Sequence, residues 1–369
     1  MSYNIHIGNP LTEVLMKKLL ILCLALALCV PALTGCGELA DNVLDKLAVF
    51  LPNDELYAVQ DEDGKWGYTN YRGKWVIEPQ FDDVYDFDEA GNALVCVDGE
   101  WNIIDRTGEL LSDTMFSYIE PFYGDEYAVV CVGELWGHVR RDGTFAIEPR
   151  FDYVTYFFDN DLALALDGIH FGYINREGEW VIEPQFHDGD EFFGGLAPVS
   201  IFDKWGYIDE SGEFVIEAQF DDAYPFDESG TALVCSDNLY GFIGTDGEYV
   251  IEPKFEDAFE FGKGELASAC LGGLWGFIDK SGEWVIEPQY ELAYSFFGQP
   301  LAAVCVDGKW GYVYRSGNFA ITPRYDYASP FMDADYYLDE PYAYVEYGTK
   351  WVYINKKGEY LATGDLDLE

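Results

Sequence analysis

The sequence predicts an all-β protein: nine tandem units of ~35 residues, each a three-stranded antiparallel meander, stacked as an open β-solenoid. Three observations predict it. A Trp-Gly pair or close variant recurs at Trp66, Trp101, Trp136, Phe171, Trp205, Tyr240, Trp275, Trp310 and Trp351. Seven residues after each of these aromatics sits a glycine, from Gly73 through Gly212 to Gly358. Twenty-one residues after the first eight sits a phenylalanine, from Phe87 through Phe226 to Phe331. Three positions locked to one period mark an internal repeat. A lone meander cannot bury both its faces, so such units gain stability by stacking.

The unit around Trp205 shows the elements in order. Leu196-Ala197-Pro198-Val199-Ser200 is a short apolar first strand. A polar turn follows, which in other units is Asp98-Gly99 or Asp307-Gly308, a strong hairpin signal. The second strand is Lys204-Trp205-Gly206-Tyr207-Ile208-Asp209, and Ser211-Gly212 turns the chain. Phe214-Val215-Ile216-Glu217 is the third strand; in six units a proline such as Pro79, Pro184 or Pro288 is expected to end it. A connector with two aromatic anchors, here Phe220 and Phe226, leads to the next unit. Alternation puts Trp205 and Tyr207 on one face and Gly206 with Ile208 on the other. Glycine within a strand marks a close approach, here expected to be an aromatic ring of a neighbouring unit. The array starts with a complete first strand, Leu56-Tyr57-Ala58-Val59, and ends with a complete third, Glu359-Tyr360-Leu361. No strand is left over to complete a blade across a closure. That phase favours an open array; a propeller-like ring is the alternative.

Lys65-Trp66-Gly67-Tyr68, Lys204-Trp205-Gly206-Tyr207-Ile208-Asp209, Lys309-Trp310-Gly311-Tyr312 and the string Val181-Ile182-Glu183-Pro184-Gln185-Phe186 resemble the WG (KWG) repeat of bacterial envelope and secreted proteins. The resemblance covers about residues 56–363. It implies a binding role and supplies no common catalytic residue. Two units depart from the pattern. Asn102 and Ser112-Asp113 replace the glycine and the Glu-Pro in the second, and Val352 replaces the glycine in the ninth, where no following unit is expected to need room.

Ahead of the repeats, Met16-Lys17-Lys18 precedes the apolar run Leu19 to Val30, too short for the ~20 residues of a membrane span. Leu33-Thr34-Gly35-Cys36 follows and resembles the bacterial lipobox, which implies cleavage before Cys36 and a lipid on its sulfur. The expected organisation is then a misassigned start at 1–15, a lipoprotein signal at 16–35, a tether at 36–55, the repeat domain at 56–363 and an acidic tail at 364–369. Such a protein is expected in the cell envelope, held to the membrane by Cys36 and facing outward.

With 21 Lys+Arg against 68 Asp+Glu, the formal net charge is −47. Such a field repels nucleic acid and anionic headgroups, so the membrane is met through the anchor only. The apolar share of 49% still supports a large core. Cys96, Cys131, Cys235, Cys270 and Cys305 each precede a Trp-Gly aromatic by five residues, which reads as buried thiols in register. An odd number cannot all pair. No Ser/His/Asp set, phosphate loop or zinc spacing occurs, so no catalytic residue, cofactor or metal ligand is assigned and the chain is read as no enzyme. Acids recurring at one position, such as Glu78, Glu148, Glu183, Glu217, Glu252 and Glu287, read as structural. Calcium is the one ion the sequence offers, through Asp82-Asp83, Asp221-Asp222, Glu256-Asp257 and the group Asp333, Asp335, Asp339 and Glu340. The repeated tryptophans read as core rather than as a sugar-stacking ladder. The leading expectation is a binding or scaffolding array presenting an acidic face to a protein or glycan. An envelope polysaccharide hydrolase and a ligand-free spacer are the alternatives.

Overall fold

The computed structural model describes residues 55–123, 125–157, 160–333 and 341–361. The chain divides into two compact units, one of residues 1–118 with 141–144 and the other of 119–140 with 145–369. Among the described residues the architecture is all-β: nine antiparallel sheets follow one another along the chain, with no helix and no closed barrel.

The first, second and third strands form where the alternating sequence placed them. In the fifth repeat they are Ala197–Ile201, Lys204–Ile208 and Phe214–Phe220, with Val199 opposite Gly206. Two features depart from the expected meander. The connector contributes a two-residue strand to the next sheet: Asp188–Gly189 pairs with Ser200 and Val199, and Asp222–Ala223 with Cys235 and Val234. Six sheets therefore have four strands rather than three. A two-residue strand has no period of its own, so it forms only once the neighbouring first strand supplies the ladder.

The proline does not end the third strand. The strand runs through it to the next phenylalanine or tyrosine, as in Trp75–Phe81 and Trp284–Tyr290. The register explains how. Trp205 lies opposite Phe220 but Tyr207 opposite Ile216, so a bulge carries the surplus third-strand residues, the proline position among them. This bulge also explains the Trp-Gly glycine. A Cβ on Gly206 would come 2.5 Å from the Ile216 carbonyl oxygen and 2.6 Å from the Ala218 nitrogen. The close approach is thus the repeat's own third-strand backbone, not a neighbouring ring.

The second repeat confirms the pairing of glycine with bulge by its exception. Asn102 is fully buried; its Nδ2 donates to the carbonyls of Ser112 and Thr114, and its Oδ1 accepts from the Ser112 N–H. The side chain replaces ladder bonds, and only isolated bridges, Trp101 to Phe116 and Ile104 to Leu110, mark the third strand. In the ninth repeat Val352 is buried, and the residues equivalent to the bulge lie outside those described.

The core lies between successive sheets. Tyr207, Ile216 and Phe220 pack with Ala232, Val234 and Ile243 of the next repeat, while Ile208 packs with Tyr173 and Ile182 of the previous one. The second glycine has a part in this stacking. Gly212 has φ +86° and its position rests on the Ile182 side chain; Gly247 and Gly282 sit likewise on Ile216 and Ile251. A side chain there would strain the turn and push the sheets apart. Lys254 Nζ and Arg324 Nη2 each reach the carbonyl of the next turn glycine, Gly282 and Gly358, at 3.1 Å.

Candidate functional site

In a repeat array, positions filled alike in every unit serve the fold, and positions that vary are free for a ligand. The structure assigns the repeated ones first. The deepest aromatic is not the tryptophan but the residue two further on. Tyr68, Tyr173, Tyr207 and Tyr312 are fully buried, whereas Trp66, Trp101, Trp136 and Trp205 are half-buried and Trp351 is 50% exposed. Each buried tyrosine donates its hydroxyl to a carbonyl seventeen residues on: to Tyr85, Asp190, Tyr224 and Ser329, at 2.7–2.9 Å. These bonds tie those four second strands to the start of the next sheet. His138 fills the same slot, with Nε2 3.0 Å from the Thr155 carbonyl.

The acidic pairs are occupied. The first acid of each caps the following hairpin: Asp82 accepts the Asp98 N–H, Asp221 the Asp237 N–H and Glu256 the Gly273 N–H, and the unpaired acid Glu291 does the same for the Gly308 N–H. Lys65, Lys204 and Lys309 bridge to Asp82, Asp221 and Asp326, and these hydrogen bonds hold the three carboxyls below their ordinary range. Asp105, Asp209 and Asp279 accept bonds within their own turns from Thr107, Ser211 and Ser281, with the same effect. Among the described residues no three His, Cys, Asp or Glu side chains converge as a metal would need. Asp333 is described and accepts a bond from Gln299; Asp335, Asp339, Glu340 and Cys36 lie outside the described residues. The recurring acids Glu78, Glu183, Glu217, Glu252 and Glu287 are exposed on the outer strand of each sheet. With the proline and bulge beside them they keep that edge from pairing with another chain.

The five cysteines are free and buried, as expected. Burial pushes the thiols of Cys96, Cys235, Cys270 and Cys305 up, which makes them poor nucleophiles.

With sheets, bulges and caps assigned, the repeat is defined by its Trp-Gly second strand, its Val-Ile-Glu-Pro third strand and the bulge between them. The WG containing repeat matches over residues 66–101, 103–136, 136–167, 171–205, 205–240, 240–275, 275–310 and 310–351. The chain belongs to the WG-repeat family. No curated protein is recognisably similar in sequence. Among solved structures, a eukaryotic initiation factor aligns at 10% identity and TM-score 0.50, over 84% of this chain and 95% of that one. At that identity the likeness is one of fold alone. Hsv2p of Kluyveromyces lactis aligns at 11% identity and TM-score 0.37, over 61% of this chain and 92% of its own.

The variable positions of this WG-repeat protein lie on and just after the short strands. In the first compact unit Tyr85 packs on Trp101, with ring centroids 5.6 Å apart. In the second, Tyr153 packs on Trp136 at 5.6 Å and feels the charges of Glu120 and Asp190. Further on comes a continuous run of rings. Phe259 lies between Trp275 and Tyr294, and Tyr294 stacks on Trp310 at 5.3 Å with 19° between planes. Trp310 meets Tyr327, and Tyr327 meets both Tyr344 and Trp351. Burial pushes the phenols of Tyr224 and Tyr327 up, so both remain neutral hydrogen-bonding groups. Sequence reasoning missed this row because its rings come from second strands, from short strands and the residues just after them, and from a first strand, and only the stacked sheets bring them together.

Proposed function

We propose that this protein is a non-catalytic binding array that takes a protein or glycan ligand along its variable short-strand row. The observation that carries the reading is the division of labour between positions. Glycines, buried tyrosines and hairpin-capping acids are spent on the repeat. The varying positions present partly exposed rings, phenolic hydroxyls and carboxylates, a combination suited to stacking and hydrogen bonding. We further propose display at the cell envelope through a lipid on Cys36, with nucleic acid disfavoured by the net charge of −47.

A hydrolase remains the second reading because of Asp190 and Glu191. Both side chains reach solvent, yet packed protein beneath them withholds enough water to push both carboxyls up, as a general acid requires. Binding of the full chain to a glycan array, with reducing-sugar release assayed on every bound glycan, separates the two. Binding without release supports the array. Release that disappears in Asp190→Asn makes it an enzyme. Fatty-acid labelling that marks wild type and Cys36→Ala equally would remove the lipid anchor.

A further inference from the structure

We propose that the adjoining hairpin tips of the fourth and fifth repeats form a docking surface for a protein partner that offers an apolar socket rimmed by lysine or arginine. The repeat itself supplies the control. Elsewhere the left-handed positions of the tips between first and second strands hold glycine, aspartate or asparagine, as at Gly64, Asp98-Gly99, Gly133, Asp237-Asn238, Gly272-Gly273, Asp307-Gly308 and Gly348. The fifth repeat places Phe202 there instead, at φ +50° and 83% exposed, followed by Asp203 at φ +61°. An aromatic residue in that region is strained, and its ring gains nothing from burial. In the fourth repeat the hairpin tip carries Ile169, 77% exposed and next in the chain to His170, whose ring meets that of His187. Strain and exposure at one residue bring the fold no return, which points to use by a partner.

The ground between the two tips has changed as well. Where other repeats set a lysine against an aspartate, as in Lys65 with Asp82 or Lys309 with Asp326, the fourth repeat sets His170 against His187. Their rings lie 5.5 Å apart, and the His187 ring lies 5.8 Å from Phe202. His187 Nδ1 accepts the Phe202 N–H at 3.3 Å, doing with a ring what Asp221 does for Asp237 with a carboxylate. With Nδ1 accepting that bond, the ring carries its proton on Nε2. The rings of His170, His187 and Phe202 thus form one run, with the Ile169 tip next to it in the chain. Asp167, Asp188 and Asp203 stand exposed around it. Charge complementarity selects the occupant: an apolar socket for Phe202 and Ile169 with a basic rim for the acids. A second copy carries the same −47 and is repelled.

The test places a photo-reactive benzoylphenylalanine at position 169 of the full chain in its native host and identifies the cross-linked peptides by mass spectrometry. The purified partner so identified is then titrated with wild type and Phe202→Asn. The expected result is a cross-link to a segment containing lysine or arginine beside apolar residues. Affinity should fall about tenfold or more in Phe202→Asn and again when salt rises from about 0.15 to 0.5 M. Asparagine suits the left-handed turn, so Phe202→Asn should melt no lower than wild type, and by strain relief ~2–4 °C higher. Cross-links only to lipid or to a second copy, or no cross-link at all, overturn the proposal. So does a partner that binds Phe202→Asn as tightly as wild type. A lower melting temperature for Phe202→Asn would show that the ring serves the fold and would overturn it too.

Discussion

The same slot holds a buried, carbonyl-bonded tyrosine in four repeats and a histidine in one, and the difference has a measurable cost. A tyrosine hydroxyl donates to the carbonyl seventeen residues on and leaves nothing unsatisfied. His138 makes that bond with Nε2, but its Nδ1 is buried with no hydrogen-bond partner. Burial pushes the His138 imidazole down to about 4, with the Thr155 bond opposing in part. Between pH 6.5 and 4 the unfolded chain binds a proton here and the folded chain does not. Stability from this site is complete above pH 6.5 and falls by about 3 kcal/mol as pH drops to 4. His138→Tyr should remove that loss, so its advantage over wild type should grow from pH 7 to pH 4 in urea melts. A constant difference across the range would show that His138 is not buried neutral. Tyr207 and Trp205 make a second comparison. Tyr207→Ala should cost ~3–5 kcal/mol and half-buried Trp205→Ala less. Tyr207→Phe should cost only ~1 kcal/mol, because Phe242 and Phe277 already fill that slot without a hydroxyl. Denaturant midpoints for the three variants give the order directly.

At the scale of the element, the bulged third strand governs what the second strand tolerates. Gly206→Ala would set a methyl 2.5 Å from the Ile216 carbonyl oxygen, and the atoms around it are backbone of the same sheet rather than a yielding side chain. The expected loss is ~1–3 kcal/mol or more, read by urea unfolding. Asn102→Gly is the converse. It should destabilise too, since the Asn102 amide is what satisfies the Ser112 and Thr114 carbonyls in a repeat without Glu-Pro. If Asn102→Gly were neutral, the second repeat would have the ordinary bulge available to it. The short strands belong to this scale as well. They join each connector to the next sheet, and they are where variable side chains meet the half-buried tryptophans.

For the whole molecule the charge dominates. An excess of 47 negative charges opposes compaction. Salt relieves it, as the Debye length shrinks from ~30 Å at 0.01 M to ~8 Å at 0.15 M. The melting temperature should therefore rise gradually with salt, and equally for sodium and calcium chloride at matched ionic strength. The acidic pairs seen here already cap hairpins and hold lysines, which leaves them committed. A specific calcium site would behave differently. At 1 mM calcium and a Kd of ~10 µM it would add ~2.7 kcal/mol. A calcium-specific rise of several degrees would place a site among Asp335, Asp339 and Glu340 or their neighbours.

The all-β class, the nine repeats, the three main strands, the turn glycines and the buried thiols were legible in the residues alone. Each of those is written locally, in alternation, in residues that tolerate left-handed turns, or in a fixed period. The two-residue strand at the edge of every described sheet after the first was not legible there, because so short a segment carries no pattern until a neighbour offers a ladder. The tertiary structure alone placed the proline inside a bulge, since register belongs to two strands and not to one. It alone showed Tyr207 deeper than Trp205, and His138 in a tyrosine's place. Trp205 and Tyr207 share one face of their strand, and which of them lies deeper is set by the sheet stacked against it.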